Sequence, residues 1–328
     1  MPKATGPCRF GMYHWLHKLT LDRLGLGERG RVWSTVDSGH FEGMPPGFSA
    51  LSFTGFMAAD LLLEGLHDVR PVEKEPGSAL PVYQRFHAEL LALLEQAGAG
   101  DLRSGPLLRE VRRRRLWGVV DLLRRAGAAY AAVRSGRQVP TVLLVGEIYV
   151  RCEPFANGFV VDELERRGLR TLLAPFNEWL EYADWLGHAR GQRKGLSAAI
   201  STLVQNRMQT LTYQTMARAL DWPARASVDD ILTAAHDYLR SELHGEAILT
   251  LGAAVHAWRS RRIAGAVSVG PLECMASKIA ETQLSHAAER EGLPILTMPC
   301  TGDGPRAETL DAFAFDVHAR HARHGPIG

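Results

Sequence analysis

The chain alternates between long stretches with apolar residues at helical spacing and a few short segments in which apolar residues are continuous. Apolar spacings of three and four residues predict helices over 15–24, 55–66, 82–96, 197–220 and 228–243. Residues 141–145, Thr-Val-Leu-Leu-Val, form a continuous run directly after a proline. Such a run is typical of a strand that is buried on both faces of a parallel sheet. The pattern therefore predicts a molecule with many helices around a buried parallel sheet.

Two strand–helix–strand units are visible in this pattern. Their ranges are 141–145, 159–167 and 171–175 for the first unit, and 266–269, 276–291 and 294–298 for the second. A strand, a helix and a second strand at this spacing indicate a βαβ unit with parallel strands. We predict an α/β fold: two Rossmann-like parallel βαβ lobes with a substantial helical middle. The predicted domains are an N-terminal lobe with a helical segment over 1–138 and a C-terminal α/β lobe over 139–328, with a helical insertion at 190–245.

Composition narrows the classes of protein to consider. Hydrophobic residues make up 46% of the 328 residues and charged residues 23%, as in a soluble globular protein. No apolar run reaches the length of about 18 residues that a membrane-spanning helix needs. The 38 basic and 36 acidic side chains are too balanced to predict a nucleic-acid or anionic-membrane partner. Four scattered cysteines and a start without an apolar signal segment predict a cytoplasmic protein.

The sequence lacks the common nucleotide and hydrolase motifs, and its cysteines are the most informative residues. There is no G-x-x-x-x-G-K-[ST], G-x-S-x-G or H-E-x-x-H pattern, and no G-x-G-x-x-G pattern that follows a predicted strand. Cys152, Cys274 and Cys300 each follow a predicted strand, at the edge of the sheet where α/β proteins bind ligands. A single free cysteine is most often a small buried hydrophobe. Cys8 and Cys274 both lie in Gly-Pro turns, however, and this favours metal binding, since thiolates are the usual ligands of iron–sulfur clusters.

Two charged residues follow the 141–145 strand directly. Glu147 and Arg151 lie where an uncompensated buried charge is costly, so they either pair with each other or line a site. The sequence does not separate these two alternatives.

Three sequence blocks together resemble one known superfamily. Residues 6–13 read Gly-Pro-Cys-Arg-Phe-Gly-Met-Tyr, residues 146–157 contain Gly-Glu-Ile-Tyr-Val-Arg with a following Pro, Ala and Asn, and Gly-Glu-Ala at 245–247 precedes Val-Gly-Pro-x-x-Cys-Met at 269–275. These blocks resemble those of the 2-hydroxyacyl-CoA dehydratase superfamily, in particular the CoA-activase-related (acyl-CoA dehydratase activase-related) proteins. A weaker fourth match is Arg-Pro-x-Glu with a following Gly at 70–77. The blocks occur in the order found in the family and span nearly the whole chain.

The resemblance implies an iron–sulfur subunit of a dehydratase- or reductase-like system that acts on an acyl-CoA. Its cofactor would be a cluster, [4Fe-4S] by analogy, reduced by an ATP-dependent activase of the sugar kinase/Hsp70/actin superfamily. Cys8 and Cys274 fall on the motif cysteines of the family, and Cys152 or Cys300 is a possible further ligand. Arg9 is expected to balance the charge of the cofactor. Arg151 is a candidate for the same role and, with Glu147, a candidate catalytic residue, with Glu147 handling protons.

The chain departs from the family at its start. Relatives carry a further cysteine in an Asn-x-x-Cys-Tyr-Pro-like block ahead of the first motif, and here that motif begins at Gly6. Three explanations are open: the chain is the C-terminal half of a split protein, its start has been assigned too late, or this subunit has lost its own cluster. A companion subunit that carries the missing block is therefore an expected partner.

Two further functions are consistent with the same residues. The chain is alternatively a cluster-free interaction subunit that docks an activase or a separate N-terminal half. A thiol-based or CoA-binding enzyme without metal ranks last, because the sequence offers no base to activate a cysteine.

Overall fold

The computed structural model describes residues 12–30, 32, 44–191 and 195–324. Cys8 and Arg9 lie outside the described residues. In the described part the helices are α1 Tyr13–Arg23, α2 Pro46–Val69, α3 Ala79–Gly98, α4 Ser104–Arg112, α5 Val119–Val133, α6 Ile148–Cys152, α7 Val160–Arg166, α8 Asn177–Ala189, α9 Leu196–Leu220, α10 Val228–Ala235, α11 Glu246–Arg259, α12 Met275–Glu291 and α13 Ala307–His324. The strands are β1 Thr141–Gly146, β2 Arg170–Leu173, β3 Gly265–Pro271 and β4 Ile295–Cys300.

The four strands form one parallel sheet in the order β2-β1-β3-β4. Val142 of β1 is in register with Thr171 of β2 and with Gly265 of β3, so the two inner strands are β1 and β3. The predicted α/β class, the parallel βαβ units and the helical middle are confirmed. Within the described residues, however, the two units share this single sheet and do not form a sheet each. The hydrogen-bonded pair β1–β3 is what joins them.

The helices that follow the two inner strands lie on opposite faces of the sheet. Alternate residues of β1 point to opposite faces because side chains alternate along a strand. Val142 and Leu144 pack with α7 and α13, while Leu143 and Val145 pack with α8, α10, α11 and α12. The chain therefore leaves β1 toward one side of the sheet and β3 toward the other. The carboxyl ends of β1 and β3 form a topological switch point, the place where open α/β sheets bind ligands.

A second hydrophobic core lies among helices alone. Residues of α2, α3 and α5 pack together with Met208, Met216 and Leu220 of α9. The approach of α5 to α9 is close: a Cβ at Gly127 would lie 2.8 Å from the Cβ of Ala219. Helix α9 belongs to the predicted insertion at 190–245, and it completes the core of the helices that precede residue 139. The predicted division at 138/139 remains a prediction.

Helix α2 is the most apolar long helix of the described residues. Residues Gly47–Val72 meet the length and composition of a membrane-spanning helix, but 61% of the apolar window is buried inside the molecule. One of its acidic side chains has partners within the fold, since Asp60 accepts backbone hydrogen bonds from Phe176 and Asn177. Buried apolar helices of this kind are common in the cores of soluble proteins, so the helix is weak evidence for a membrane.

Candidate active site at the sheet edge

The switch point brings the second and third sequence blocks into direct contact. Gly146, the last residue of β1, has a φ of +120°, and a Cβ there would overlap the carbonyl oxygen of Val269 in β3. The next residue, Glu147, donates its backbone N–H to the same carbonyl at 2.9 Å. Only glycine combines this positive φ with so close an approach of another backbone. Residues that are more than a hundred positions apart in sequence thus form one edge.

The carboxylate of Glu147 is engaged at the start of α6. It accepts hydrogen bonds from the backbone N–H groups of Tyr149 at 3.1 Å and Val150 at 2.8 Å. These are N-cap contacts, which satisfy donors that the first turn of a helix leaves unpaired. Glu147 therefore shapes the loop after β1, and its role in proton transfer stays a prediction.

Arg151 connects the ends of β1 and β2 by hydrogen bonds. Its side chain is buried, and it donates to the carbonyl of Gly146 at 3.2 Å and to that of Pro175 at 3.0 Å. The Oε2 atom of Glu178 lies 4.0 Å from Nη2 of Arg151. Of the two alternatives left open by the sequence, pairing between Glu147 and Arg151 is not what the structure shows. Arg151 faces Glu178 on α8 instead.

Glu246, the first residue of α11, also faces this edge. It accepts a hydrogen bond from the backbone N–H of Ile148 and lies in the electrostatic field of Arg151, Glu147 and Glu178. Desolvation raises the pKa of Glu246 to about 8, and it raises that of Glu178 to about 7. Both carboxyl groups are therefore able to hold or release a proton near neutral pH.

Four buried polar atoms of this edge have no hydrogen-bond partner among the described residues. They are Arg151 Nε, Asn177 Oδ1, Glu178 Oε1 and Glu246 Oε1. We call these four residues the edge cluster. Buried polar groups in folded proteins are nearly always paired with protein, water or a ligand. The edge cluster therefore has unused capacity for water or a bound molecule, which is what a binding or catalytic site provides.

The sequence analysis missed Asn177 and Glu178. They follow the predicted strand 171–175 as directly as Glu147 and Arg151 follow the first strand. The same argument, that charge after a buried strand needs a partner, would have identified Glu178. Glu246 stood inside the third block but was not singled out as a candidate.

The three described cysteines lie at the same edge of the sheet but in different environments. Cys274 is the N-cap residue of α12 and is half-buried. Cys152 ends α6, and burial raises the pKa of its thiol. Cys300 ends β4 in register with Pro271, its Sγ lies 3.7 Å from the Met298 carbonyl, and burial raises its thiol pKa as well. A raised pKa disfavours the thiolate that metal binding requires.

The described residues do not by themselves form the implied cluster site. In ranges 12–30, 44–191 and 195–324 there is no group of three or more His, Cys, Asp or Glu side chains placed to hold a metal ion. A site with Cys8 and Arg9 involves residues outside this part of the chain. Among the described cysteines, Cys274 is the one that lies at the N-terminus of a helix.

The weak fourth block has a structural role where it is described. Glu73 accepts the backbone N–H groups of Gly77 and of Ala79, the latter at 2.8 Å, at the start of α3. Gly77 has a φ of +86°, which favours glycine. Arg70 forms ion pairs with Asp162 at 2.7 Å and Glu165 at 2.6 Å on α7. These contacts hold α2, α3 and α7 in place and lie apart from the edge cluster.

A large cleft lies behind the edge cluster, between α8, α9 and the segment 221–229. Its volume is about 1010 Å³. Aromatic side chains (Phe53, Trp185, Tyr213, Trp222) and amides (Gln205, Asn206, Gln209, Gln214) line it. Glu181, which accepts from Asn177 at 2.6 Å and pairs with Arg225, links its wall to the edge cluster. We refer to this space as the cleft.

Comparison of the chain with protein-family models, with curated proteins and with solved structures finds no match in any of the three. The geometry of the site and the sequence blocks are thus the basis for assigning a function.

Proposed function

We propose that the chain is an iron–sulfur subunit of a 2-hydroxyacyl-CoA dehydratase- or reductase-like system, which receives electrons from an ATP-dependent activase. The observation that supports this most is the convergence of the second and third sequence blocks at the switch point. Gly146, Glu147 and Arg151 of one block meet Glu246 and Val269 of the other through direct contacts and a shared electrostatic field. Blocks with a common function are expected to meet in space.

In this proposal the ligands are Cys8 and Cys274, with Arg9 close to the bound group. Because burial disfavours the thiolates of Cys152 and Cys300, a companion chain is the better source of the remaining ligand.

The chain's own residues would bind and handle protons at the edge. Arg151, held by two carbonyl groups, presents its unpaired Nε to an anionic or carbonyl oxygen. Glu246, with a pKa of about 8, carries a proton at neutral pH and is the better acid–base group, whereas Glu147 holds α6 in position. Elimination of water from a hydroxyacyl group needs such a proton donor for the leaving hydroxyl.

The test is the content of iron and acid-labile sulfide after anaerobic purification, alone and after co-expression with neighbouring reading frames. We expect about four iron atoms per chain, lost in Cys8→Ala and Cys274→Ala. Leu272→Ala, in the same turn as Cys274 but without a thiol, is the matched control and should retain the iron. Iron that appears only on co-expression supports a ligand supplied by a companion. Protein that stays iron-free under all of these conditions contradicts the proposal.

A second candidate function is a cluster-free interaction subunit that docks an activase or a separate N-terminal half. One observation favours it: aromatic side chains are exposed after β1. Tyr149, Phe155 and Phe159 are 65%, 82% and 50% exposed. Exposed aromatic residues of this kind are enriched at protein interfaces.

Co-purification from the native source tests this second candidate. Phe155→Ser should weaken the association with an activase or companion chain, while Phe315→Ser, equally exposed on α13, should not. A chain that remains monomeric and binds neither protein removes the interaction function. A cytoplasmic location, without nucleic acid or membrane as partner, belongs to both proposals.

A further inference from the structure

A small chamber lies against the sheet, between the edge cluster and the cleft. Its volume is about 110 Å³. Leu143, Leu172 and Leu173 form the wall on the side of the sheet, and α11 contributes Ala253 and Ala257. The rest of the lining is mixed: Ala174, Pro175, Ala226 and Ile231 are apolar, and the polar side chains are Glu64, Glu178, Tyr213, Arg225, His256 and Arg262. We call this space the chamber.

One buried carboxylate oxygen of the chamber lining lacks a partner. Glu178 is 3% exposed, and its Oε1 has no hydrogen-bond partner in the described part of the chain. Leaving such an oxygen unpaired costs about 1 to 3 kcal/mol, so a molecule that donates a hydrogen bond is expected beside it. Because the lining combines carboxyl, guanidinium, phenol and imidazole groups, that molecule has several further partners.

The chamber connects two sites already described. Tyr213, Arg225 and Ala226 line both the chamber and the cleft. On the opposite side, Glu178 reaches toward Arg151 of the edge cluster, with 4.0 Å between Oε2 and Nη2. The chamber thus lies between the cleft and the edge cluster.

The size and chemistry of the chamber fit water. Buried water molecules typically make about three hydrogen bonds, and each occupies about 30 Å³ in the liquid. A volume of about 110 Å³ holds a few such molecules. We propose that the chamber holds a cluster of ordered water molecules, and that Glu64 and Glu178 exchange a proton through it between the cleft and the edge cluster.

The proton balance of this exchange is simple. The carboxyl O–H of Glu64 gives its proton to a water molecule, each water passes one proton on, and a carboxylate oxygen of Glu178 accepts the last. One proton moves and no electron does. Burial raises the pKa of both groups to about 7, so neither side holds the proton much more strongly.

Charged groups from every packed element act on these two carboxyls. Glu178 faces Arg151, Glu181, Arg225 and Asp60, and Glu64 faces Asp68, Arg225, Arg262 and Asp60. Desolvation is the largest cause of both raised pKa values. The neighbouring acids raise the two pKa values further and the arginines lower them, and each pKa is about 7. The water in the chamber and the proton exchange between Glu64 and Glu178 do not depend on the proposed function. Only the use of the proton by the edge cluster rests on the proposed function.

Hydration is tested by filling the chamber. Ala253→Leu and Ala257→Leu each place a larger side chain in it, while Ala88→Leu on the exposed side of α3 is the control. Deuteron relaxation dispersion should show long-lived internal water in the full chain that both chamber variants lose and the control keeps. Crystals under xenon should show none in the chamber, because xenon enters dry apolar cavities. Xenon bound there, or internal water unchanged in both filled variants, would overturn the proposal.

The proton exchange is tested by infrared spectroscopy of the carboxyl bands after transfer to D₂O. We expect deuterium to reach the Glu178 carboxyl at least about tenfold more slowly in Glu64→Gln and in Ala253→Leu, which is about 1.4 kcal/mol in barrier height. Glu165→Gln is the control, since Glu165 also has a pKa of about 7 but pairs with Arg70 outside the chamber.

Equal exchange rates in the wild type, Glu64→Gln and Ala253→Leu would overturn the role of the chamber as a proton path. This result is independent of the iron assay. If iron is never found while exchange still slows in the variants, the proposed function fails and the proton path remains.

Discussion

Two carboxyl groups at the sheet edge have different roles: Glu147 caps a helix, and Glu246 is able to hold a proton near neutral pH. Glu147 contributes to the electrostatic field at Glu246, yet the environments of the two side chains differ. Glu147 accepts two backbone N–H groups at the start of α6. Glu246 accepts one, from Ile148, and is otherwise desolvated, so its pKa rises to about 8. Desolvation favours the neutral acid, whereas hydrogen bonds from N–H groups favour the carboxylate.

The raised pKa of Glu246 predicts a specific pH dependence of stability. The unfolded chain releases this proton near pH 4.5 and the folded chain near pH 8. Between these values the folded state binds more protons, so its stability falls as the pH rises. Glu246→Gln keeps the neutral form, and near pH 7 it should be more stable than the wild type by about 1 to 3 kcal/mol.

Urea denaturation at several pH values measures this effect. The advantage of Glu246→Gln should vanish below about pH 4.5, where both states of the wild type hold the proton. Glu242→Gln, an exposed neighbour, serves as the control and should show no such trend. An advantage that is constant with pH would mean that Glu246 is ionised in the folded protein.

At the level of residues, the sequence predicted the position of two side chains where local position was enough. Glu147 and Arg151 were selected because they follow a buried strand, and both lie at the switch point. The sequence analysis offered two alternatives for Glu147 and Arg151, a mutual pair or a site that both line. It did not identify Glu178 as the acid that faces Arg151, because α8 was not predicted. The partner of a buried charge is set by which helix packs over it, and that depends on contacts distant in sequence.

At the scale of elements, the strands were predictable and several helices were not. The runs at 141–145 and 266–269 became β1 and β3, since continuous apolar residues fit a strand covered on both faces. Helix α11 was missed because it is apolar nearly all round, with Ile248, Leu249 and Leu251 all buried. A helix without a polar face lacks the periodicity on which prediction depends.

The junction of β1 and β3 depends on one glycine. In Gly146→Ala, the new Cβ would overlap the Val269 carbonyl, and the φ of +120° would be strained. We expect a loss of about 3 kcal/mol or more in the free energy of unfolding, from backbone strain and overpacking combined. Gly136→Ala is the control, because a Cβ there meets nothing within 4 Å.

Chemical denaturation of the two alanine variants tests this directly. The control should stay within about 0.5 kcal/mol of the wild type. Equal free energies of unfolding for Gly146→Ala and Gly136→Ala would contradict the close approach of β1 and β3 at the switch point.

At the scale of the whole molecule, α2 joins the helical core to the sheet. Its Asp60 accepts backbone N–H groups of Phe176 at 3.2 Å and Asn177 at 2.9 Å, at the start of α8. Its Asp68 accepts from Trp222 at 3.1 Å and lies 3.4 Å from Arg170 of β2. Two carboxylates two turns apart thus fix the edge cluster relative to the helical core.

Removal of the first of these carboxylates should loosen the edge cluster from a distance. Asp60→Ala leaves two N–H groups of α8 unpaired, and we expect a loss of about 1 to 2 kcal/mol. Hydrogen–deuterium exchange of the amides at 176–180 should accelerate more than exchange in α13. Asp316→Ala, exposed on α13, is the control and should change neither measurement. Unchanged protection at 176–180 in Asp60→Ala would show that α8 is held by other contacts.

The sequence by itself determined the elements and the general place of the chemistry. Apolar runs predict the strands, helical spacing predicts most long helices, and parallel strands require that their carboxyl ends meet at one edge. These are local properties, since they follow from the periodicity of side chains along a strand or a helix.

The tertiary structure alone decided how the two βαβ units combine and which charges meet. One shared sheet, the completion of the helical core by α9, and the meeting of Arg151 with Glu178 and Glu246 all join residues distant in sequence. Such pairings depend on the packing of whole faces, and no short segment encodes them. The buried chamber follows from the same packing, because it exists only where the sheet, α2, α9 and α11 leave space between them.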